Sequence, residues 1–373
     1  MRRKMLLLGL LALAALAALL QAYAGPVFFL PSEDAAAIRF KRRGSLGLVV
    51  PDPELGHALR SGHDRVLEWR GRRYETRQAP YPGQSRLGFR LARGGKSPET
   101  ADLAALGDSF TLGMEVDAAR AWPALLSRET GLSVVNLGVP SYGTAQERLL
   151  YRLYGRSFKP KWVLLLLVTN DPRDNAIFAQ WKGSRSEPGG VDFVEYKFCA
   201  QLGLEPGRAC RGAKFLMTRC GAAVNVLLTQ LVTVWMNLTR TGEDFEGGMR
   251  ALLEDVQGLG RETSASGARL AVLVHPNWSL PRWTRLHPRA RDELMAMLRE
   301  EGIPALDLGP ALGGYTDERL EIRLDGHWNE AGHKAVAART AEFLRGLGAA
   351  AAKGPPSSEG GRPPLPEGAA DGR

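Results

Sequence analysis

The feature that most constrains this chain is a ladder of five short apolar runs between residues 102 and 347: DLAALG, SVVNLG, WVLLLLVT, ARLAVLVH and IPALDLG. Between them, apolar residues recur at helical spacing over 119–129, 144–154, 249–261 and 288–301. Strands alternating with helices imply a parallel sheet covered on both faces. The third run is apolar throughout, as a central strand must be. A final helix is predicted over 329–345, with Asn329 near its cap. The chain shows no internal repeat.

The ladder makes residues 101–347 one α/β domain of a 373-residue chain. Residues 25–100 are rich in Gly, Pro and Arg, with strand-like pieces LGLVV and RVLEW, and suggest a small β or irregular N-terminal extension. Residues 172–246 interrupt the ladder after its third run. They form a predicted helical insertion or lid and contain an apolar stretch, 222–238. Asn225, Gln230 and Asn237 within it favour a packed or lid helix over a membrane span. Residues 348–373 are Ala, Gly, Pro, Ser and scattered charge, the composition of a disordered tail.

The N-terminus opens Met1-Arg2-Arg3-Lys4 and continues into the apolar run MLLLGLLALAALAALL, with Ala22-Tyr23-Ala24 as a small-x-small cleavage site. Residues 1–24 fit a signal peptide or a membrane anchor, the latter giving inner-membrane association through residues 5–23. Either reading exports the remainder, to the periplasm or beyond. In that setting Cys199, Cys210 and Cys220 suggest one disulfide and one remaining thiol. They lack zinc-ligand spacing, so neither a metal nor an organic cofactor is expected. The net charge is +9, with a short cluster at Arg39, Lys41, Arg42 and Arg43. No nucleic-acid motif with interleaved aromatics accompanies it, so nucleic acid is not an expected partner. Anionic headgroups or an anionic polymer are weak candidates.

Ligands of open α/β sheets bind beyond the carboxyl ends of the strands. The first run ends in Gly107-Asp108-Ser109-Phe110-Thr111-Leu112-Gly113, the second in Asn136-Leu137-Gly138, the third in Thr169-Asn170-Asp171. The last helix is preceded by Asp325-Gly326-His327-Trp328-Asn329. These are the parts of a serine acyl-transfer site. Ser109 is the expected nucleophile, which needs a base; His327 can be that base, and Asp325 can orient the imidazole. The N–H groups of Ser109 and Gly138 and the amide of Asn170 are candidate oxyanion donors.

GDSFTLG, NLG, ND and D-G-HWN-x-x-GH, in that order, resemble the SGNH (GDSL-type) hydrolase superfamily over about residues 102–347. The resemblance implies a flavodoxin-like three-layer sandwich with a five-stranded parallel sheet. It also implies Ser109 as nucleophile, Gly138 and Asn170 completing the oxyanion hole, and Asp325 and His327 as triad partners. LGFR, ending at Arg90, is similar to many exported bacterial members. Two positions depart from the family pattern. Val168 stands where glycine usually lies two residues before the Asn. Leu324 stands where Asp usually lies three residues before the His, with Asp325 one residue closer. Short Asp–His spacing resembles the alginate and exopolysaccharide O-acetyltransferase branch and tilts the expectation toward acyl transfer onto sugars, with polysaccharide a candidate partner; carbohydrate O-acetyl transfer or deacetylation stands level with general carboxylester hydrolysis.

Plainer roles compete at each position. Ser109 can be a helix cap, His327 a packing residue, Asp325 or Asn170 a turn residue, and Gly138 a backbone-shape requirement. Asp108 is expected to be structural, as are His275 and His333. Trp162, Trp278 and Trp283 can stack on a sugar but are burial residues by default. The rival function is a non-catalytic polysaccharide-binding or assembly protein on the same fold.

Overall fold

The computed structural model describes residues 48–62, 64–69, 72–92, 95–114, 116–184, 192–201, 205–208, 210–212, 242–279, 289–312, 319–322 and 326–350. Residues 5–23, Cys220, the 222–238 stretch, Trp283, Asp325 and the tail beyond residue 350 lie outside them. No helix among the described residues is long and apolar enough to cross a membrane.

The five apolar runs form five parallel strands: β6 (Leu103–Leu106), β7 (Val134–Asn136), β8 (Trp162–Leu167), β9 (Arg269–Val274) and β10 (Ala305–Asp307). Their order, β10-β9-β8-β6-β7, is the doubly wound arrangement of a flavodoxin-like sheet. All six residues of β8 are buried, which explains why its run is apolar at every position. Alternate side chains enter two separate cores. Ala104, Leu106, Val163, Leu165, Val272 and Val274 join one, and Leu103, Ala105, Leu164, Leu166, Ala271 and Leu273 the other.

Two helices cover the second face, α2 (Trp122–Thr130) and, at the chain's end, α9 (Glu330–Gly346). The first face carries α3 (Thr144–Leu153), α4 (Asp171–Ser184), α6 (Gly242–Ala265) and α7 (Ala290–Glu300). The remaining short helices are α1 (Ser109–Leu112), α5 (Phe193–Gln201) and α8 (Leu308–Ala311). Asn329 caps α9, its Oδ1 accepting from the N–H groups of Ala331 and Gly332, and the helix starts one residue later than the predicted 329.

Three strands of the N-terminal extension join the sheet. Its strands β3 (Asp64–Trp69), β4 (Arg72–Pro80) and β5 (Gly88–Leu91) run antiparallel and attach to β7 through Arg90 opposite Asn136, giving eight strands in all. β1 (Val49–Asp52) and β2 (Gly56–Leu59) form a separate hairpin. The described part of the 172–246 insertion is helical, but it is not a loose cover. Ile177, Phe178, Trp181 and Phe193 are buried in the first core. Cys199, on α5, is bonded to Cys210.

Candidate active site

The site begins where β6 stops. Gly107 has φ 149°, and a Cβ there would lie 2.2 Å from Thr111 Oγ1, so only glycine makes this turn. Asp108 then caps α1, its Oδ1 accepting from the Phe110 N–H at 2.9 Å. This is the structural role expected of it. Ser109 is the first residue of α1 and is 9% exposed. Its own N–H therefore lies outside the helical hydrogen-bond ladder. Behind α1, the Arg90 guanidinium donates to the carbonyls of Leu112, Gly113 and Val116, tying strand β5 to the end of the serine turn. Burial lowers the Arg90 pKa to about 10.

His327 arrives from 218 residues away and places Nε2 2.7 Å from Ser109 Oγ. It follows Gly326, whose φ of 86° admits the chain reversal before α9. The His327 ring packs 4.8 Å from that of Phe110, which also lies against His275 and the buried Trp328. His275 and His333 are both buried: His275 Nδ1 accepts from the Asn277 N–H, and His333 Nδ1 from the Trp122 N–H. Burial lowers both pKa values to about 3, so both rings are neutral near pH 7.

Asn170 follows β8. Its Nδ2 donates to Asp108 Oδ2 at 3.3 Å and to Asp174 Oδ2 at 3.2 Å. The same Asp108 oxygen lies 3.5 Å from Ser109 Oγ, so the amide and the serine share one carboxylate. Val168, the first departure from the family pattern, is absorbed without glycine. Its side chain enters the second core, and its N–H donates to Asp171 Oδ2 at 2.8 Å.

Gly138 is the third expected oxyanion donor. Its N–H is taken by Asn136 Oδ1 at 3.0 Å, inside the loop. A Cβ at Gly138 would lie 2.2 Å from Leu112 N, so glycine is needed for the close approach of this loop to α1. Ser141 is exposed and has φ 65°, an uncommon conformation for serine. Nothing in the NLGVPSYG sequence marks that conformation, so sequence reasoning passed over Ser141. Trp162 and Trp278 are 6% and 1% exposed, which places them in the interior instead of on a sugar-binding surface.

Asp108, Glu147 and Asp171 form a buried acidic group behind the serine. Burial is the main cause that raises all three pKa values, Glu147 and Asp171 well above the usual carboxylate range.

A family model for the GDSL-like lipase/acylhydrolase family matches residues 105–335, over half of the chain, including Ser109, Gly138, Asn170 and His327. The protein belongs to the GDSL-like lipase/acylhydrolase family. It is accordingly an ester hydrolase by family. Among solved structures, this family member is similar to a lipolytic protein of the G-D-S-L family from Desulfitobacterium hafniense (14% identity, 65% of this chain and 98% of that one, TM-score 0.40). It is also similar to a carbohydrate esterase family 2 enzyme from Corynascus thermopiles (14%, 71% and 71%, 0.40). A third is an acetylxylan esterase from Geobacillus stearothermophilus (13%, 68% and 97%, 0.37). No curated protein shows a significant match to the chain.

Proposed function

We propose that this GDSL-family protein is an exported serine esterase or acetyltransferase that acts on an O-acetylated carbohydrate through an acyl-enzyme. The observation that carries this reading is the 2.7 Å contact between Ser109 Oγ and His327 Nε2, made by residues from opposite ends of the domain. A helix cap needs no such partner.

Ser109 Oγ attacks the acyl carbonyl while its proton passes to His327 Nε2. The carbonyl π pair becomes the oxyanion. Its assigned donors are the Ser109 N–H, an N–H of the 138–141 loop and the Asn170 amide, which gives up its bond to Asp108 or Asp174 to reach the oxyanion. Collapse expels the alcohol, which takes the proton from His327, and leaves acyl-Ser109. Water or a sugar hydroxyl then gives its proton to His327 and attacks the acyl carbon. Expulsion of Ser109 Oγ, which regains the proton, completes hydrolysis or transfer. Asp325, two residues before His327, is the assigned partner of the imidazole. The short Asp–His spacing, similar to exopolysaccharide O-acetyltransferases, supports the carbohydrate. The basic, apolar N-terminus supports export, with residues 5–23 as cleaved signal or retained anchor.

The test is turnover of p-nitrophenyl acetate by wild type and Ser109→Ala, with and without an added polysaccharide. Ser109-dependent nitrophenol release is expected. Acetyl on the polysaccharide selects transferase, and acetate alone selects esterase. Full activity in Ser109→Ala overturns the mechanism, and a protein without turnover or acylation is a binder on this fold.

A further inference from the structure

Lys197 lies outside all four sequence blocks that carry the family resemblance, on α5 of the insertion. Its side chain is nonetheless 8% exposed, and Nζ lies 2.9 Å from Asp174 Oδ1, itself 8% exposed. The other oxygen of Asp174 accepts from Asn170 Nδ2. Lys197 Nζ also donates to the Ser141 carbonyl. One ammonium therefore joins the Asn170 amide, through a single carboxylate, to the loop that carries Ser141.

The opposite side of that loop is held too. His57 Nε2 donates to the Pro140 carbonyl at 2.8 Å, and the His57 ring stacks on Phe193, one helical turn before Lys197 on α5. In a trans peptide the C=O and N–H point in opposite directions. Fixing the Pro140 carbonyl therefore turns the Ser141 N–H away from the His57 ring. Fixing the Ser141 carbonyl sets the next peptide plane. Two consecutive planes held by a hairpin and an insertion explain how Ser141 keeps a positive φ. A buried lysine needs such partners, because an ammonium taken out of water is retained only where it is paired.

We propose that Lys197 is a positioning residue for the acyl transfer assigned above, locking Asn170 and the 138–143 loop into one rigid oxyanion site. The proposal rests on that functional reading. It gives the insertion a part in the site's construction that the name lid does not convey.

The test compares full-length wild type with Lys197→Met, Asp174→Asn/Lys197→Met and Ser109→Ala. Lys197→Met is expected to lower kcat about 100-fold, the loss that misplacement by roughly 1 Å produces, with KM changed less than about threefold. Backbone hydrogen exchange is expected to quicken in 138–145 and 168–175 while β8 stays protected. The double variant leaves no unpaired charge and so guards against misfolding of the single one. It is expected to regain thermal stability and to keep the low kcat, because the tie to the Ser141 carbonyl is still missing. Full recovery of kcat in the double variant would reduce Lys197 to charge compensation and overturn the proposal. Unchanged kcat and unchanged exchange in Lys197→Met would also overturn it. If wild type shows no Ser109-dependent turnover, the acyl-transfer reading fails. The exchange arm then decides on Lys197 alone, and unaltered protection of both segments refutes it.

Discussion

Glu147 offers a quantitative test of the electrostatics behind the serine. It lies in the first turn of α3, fully buried, and neither carboxyl oxygen has a hydrogen-bond partner among the described residues. Burial, reinforced by Asp108, Asp255 and Asp174, lifts its pKa well above the ordinary 4.5. The folded protein thus keeps a proton that the unfolded chain releases above 4.5. With more protons bound in the native state, stability falls as pH rises, by about 1.4 kcal/mol per pH unit until the folded pKa is reached. Glu147→Gln is neutral at every pH and keeps the shape. Burying its amide adds an offset of about 1–3 kcal/mol that does not depend on pH. The slope is therefore the diagnostic quantity. Urea unfolding of both proteins at about pH 5, 6 and 7 is expected to show the variant gaining on wild type as pH rises, by at most about 1.4 kcal/mol per pH unit and levelling off above the folded pKa. A difference that stays constant across the three pH values would mean that Glu147 is ionised when folded, and would refute the reasoning.

Two further outcomes follow from named atoms. Gly138→Ala places a methyl against Leu112 N and is expected to cost about 1–3 kcal/mol while displacing α1; a thermal midpoint and an acylation rate equal to wild type would contradict this. His333 is held neutral, its pKa lowered from 6.5 to about 3 by burial. The unfolded chain therefore takes up a proton below 6.5 that the native state refuses, and stability is lost as pH falls. His333→Asn keeps an acceptor for the Trp122 N–H and removes this titration. Against it, wild type is expected to lose about 1.4 kcal/mol per pH unit between roughly pH 6 and 4 in denaturant titrations, and parallel curves would count against it.

The sequence made the parallel sheet legible because burial on both faces writes itself as unbroken apolar runs, most plainly in β8. Asn329 was legible for a local reason, since its side chain reaches only two and three residues ahead. Ser109 and His327 were legible as chemistry at strand ends, although only the fold brings them within 2.7 Å. The parts that escaped sequence reasoning depend on distant contacts. β5 joins β7 through one register pair, and Arg90 reaches carbonyls 22 to 26 residues away. The positive φ of Ser141 is a backbone angle that no residue type announces. Lys197 on a cysteine-containing insertion has no local mark of a residue that pairs with Asp174.

The central claim is that His327 activates Ser109. The most direct measurement is the intact mass and modified-peptide map of the protein after exposure to a fluorophosphonate, for wild type, Ser109→Ala and His327→Ala. The account predicts one adduct in wild type, located on Ser109, none in Ser109→Ala, and a rate lowered by at least about 100-fold in His327→Ala. An adduct on another residue, or His327→Ala labelled as fast as wild type, would contradict it.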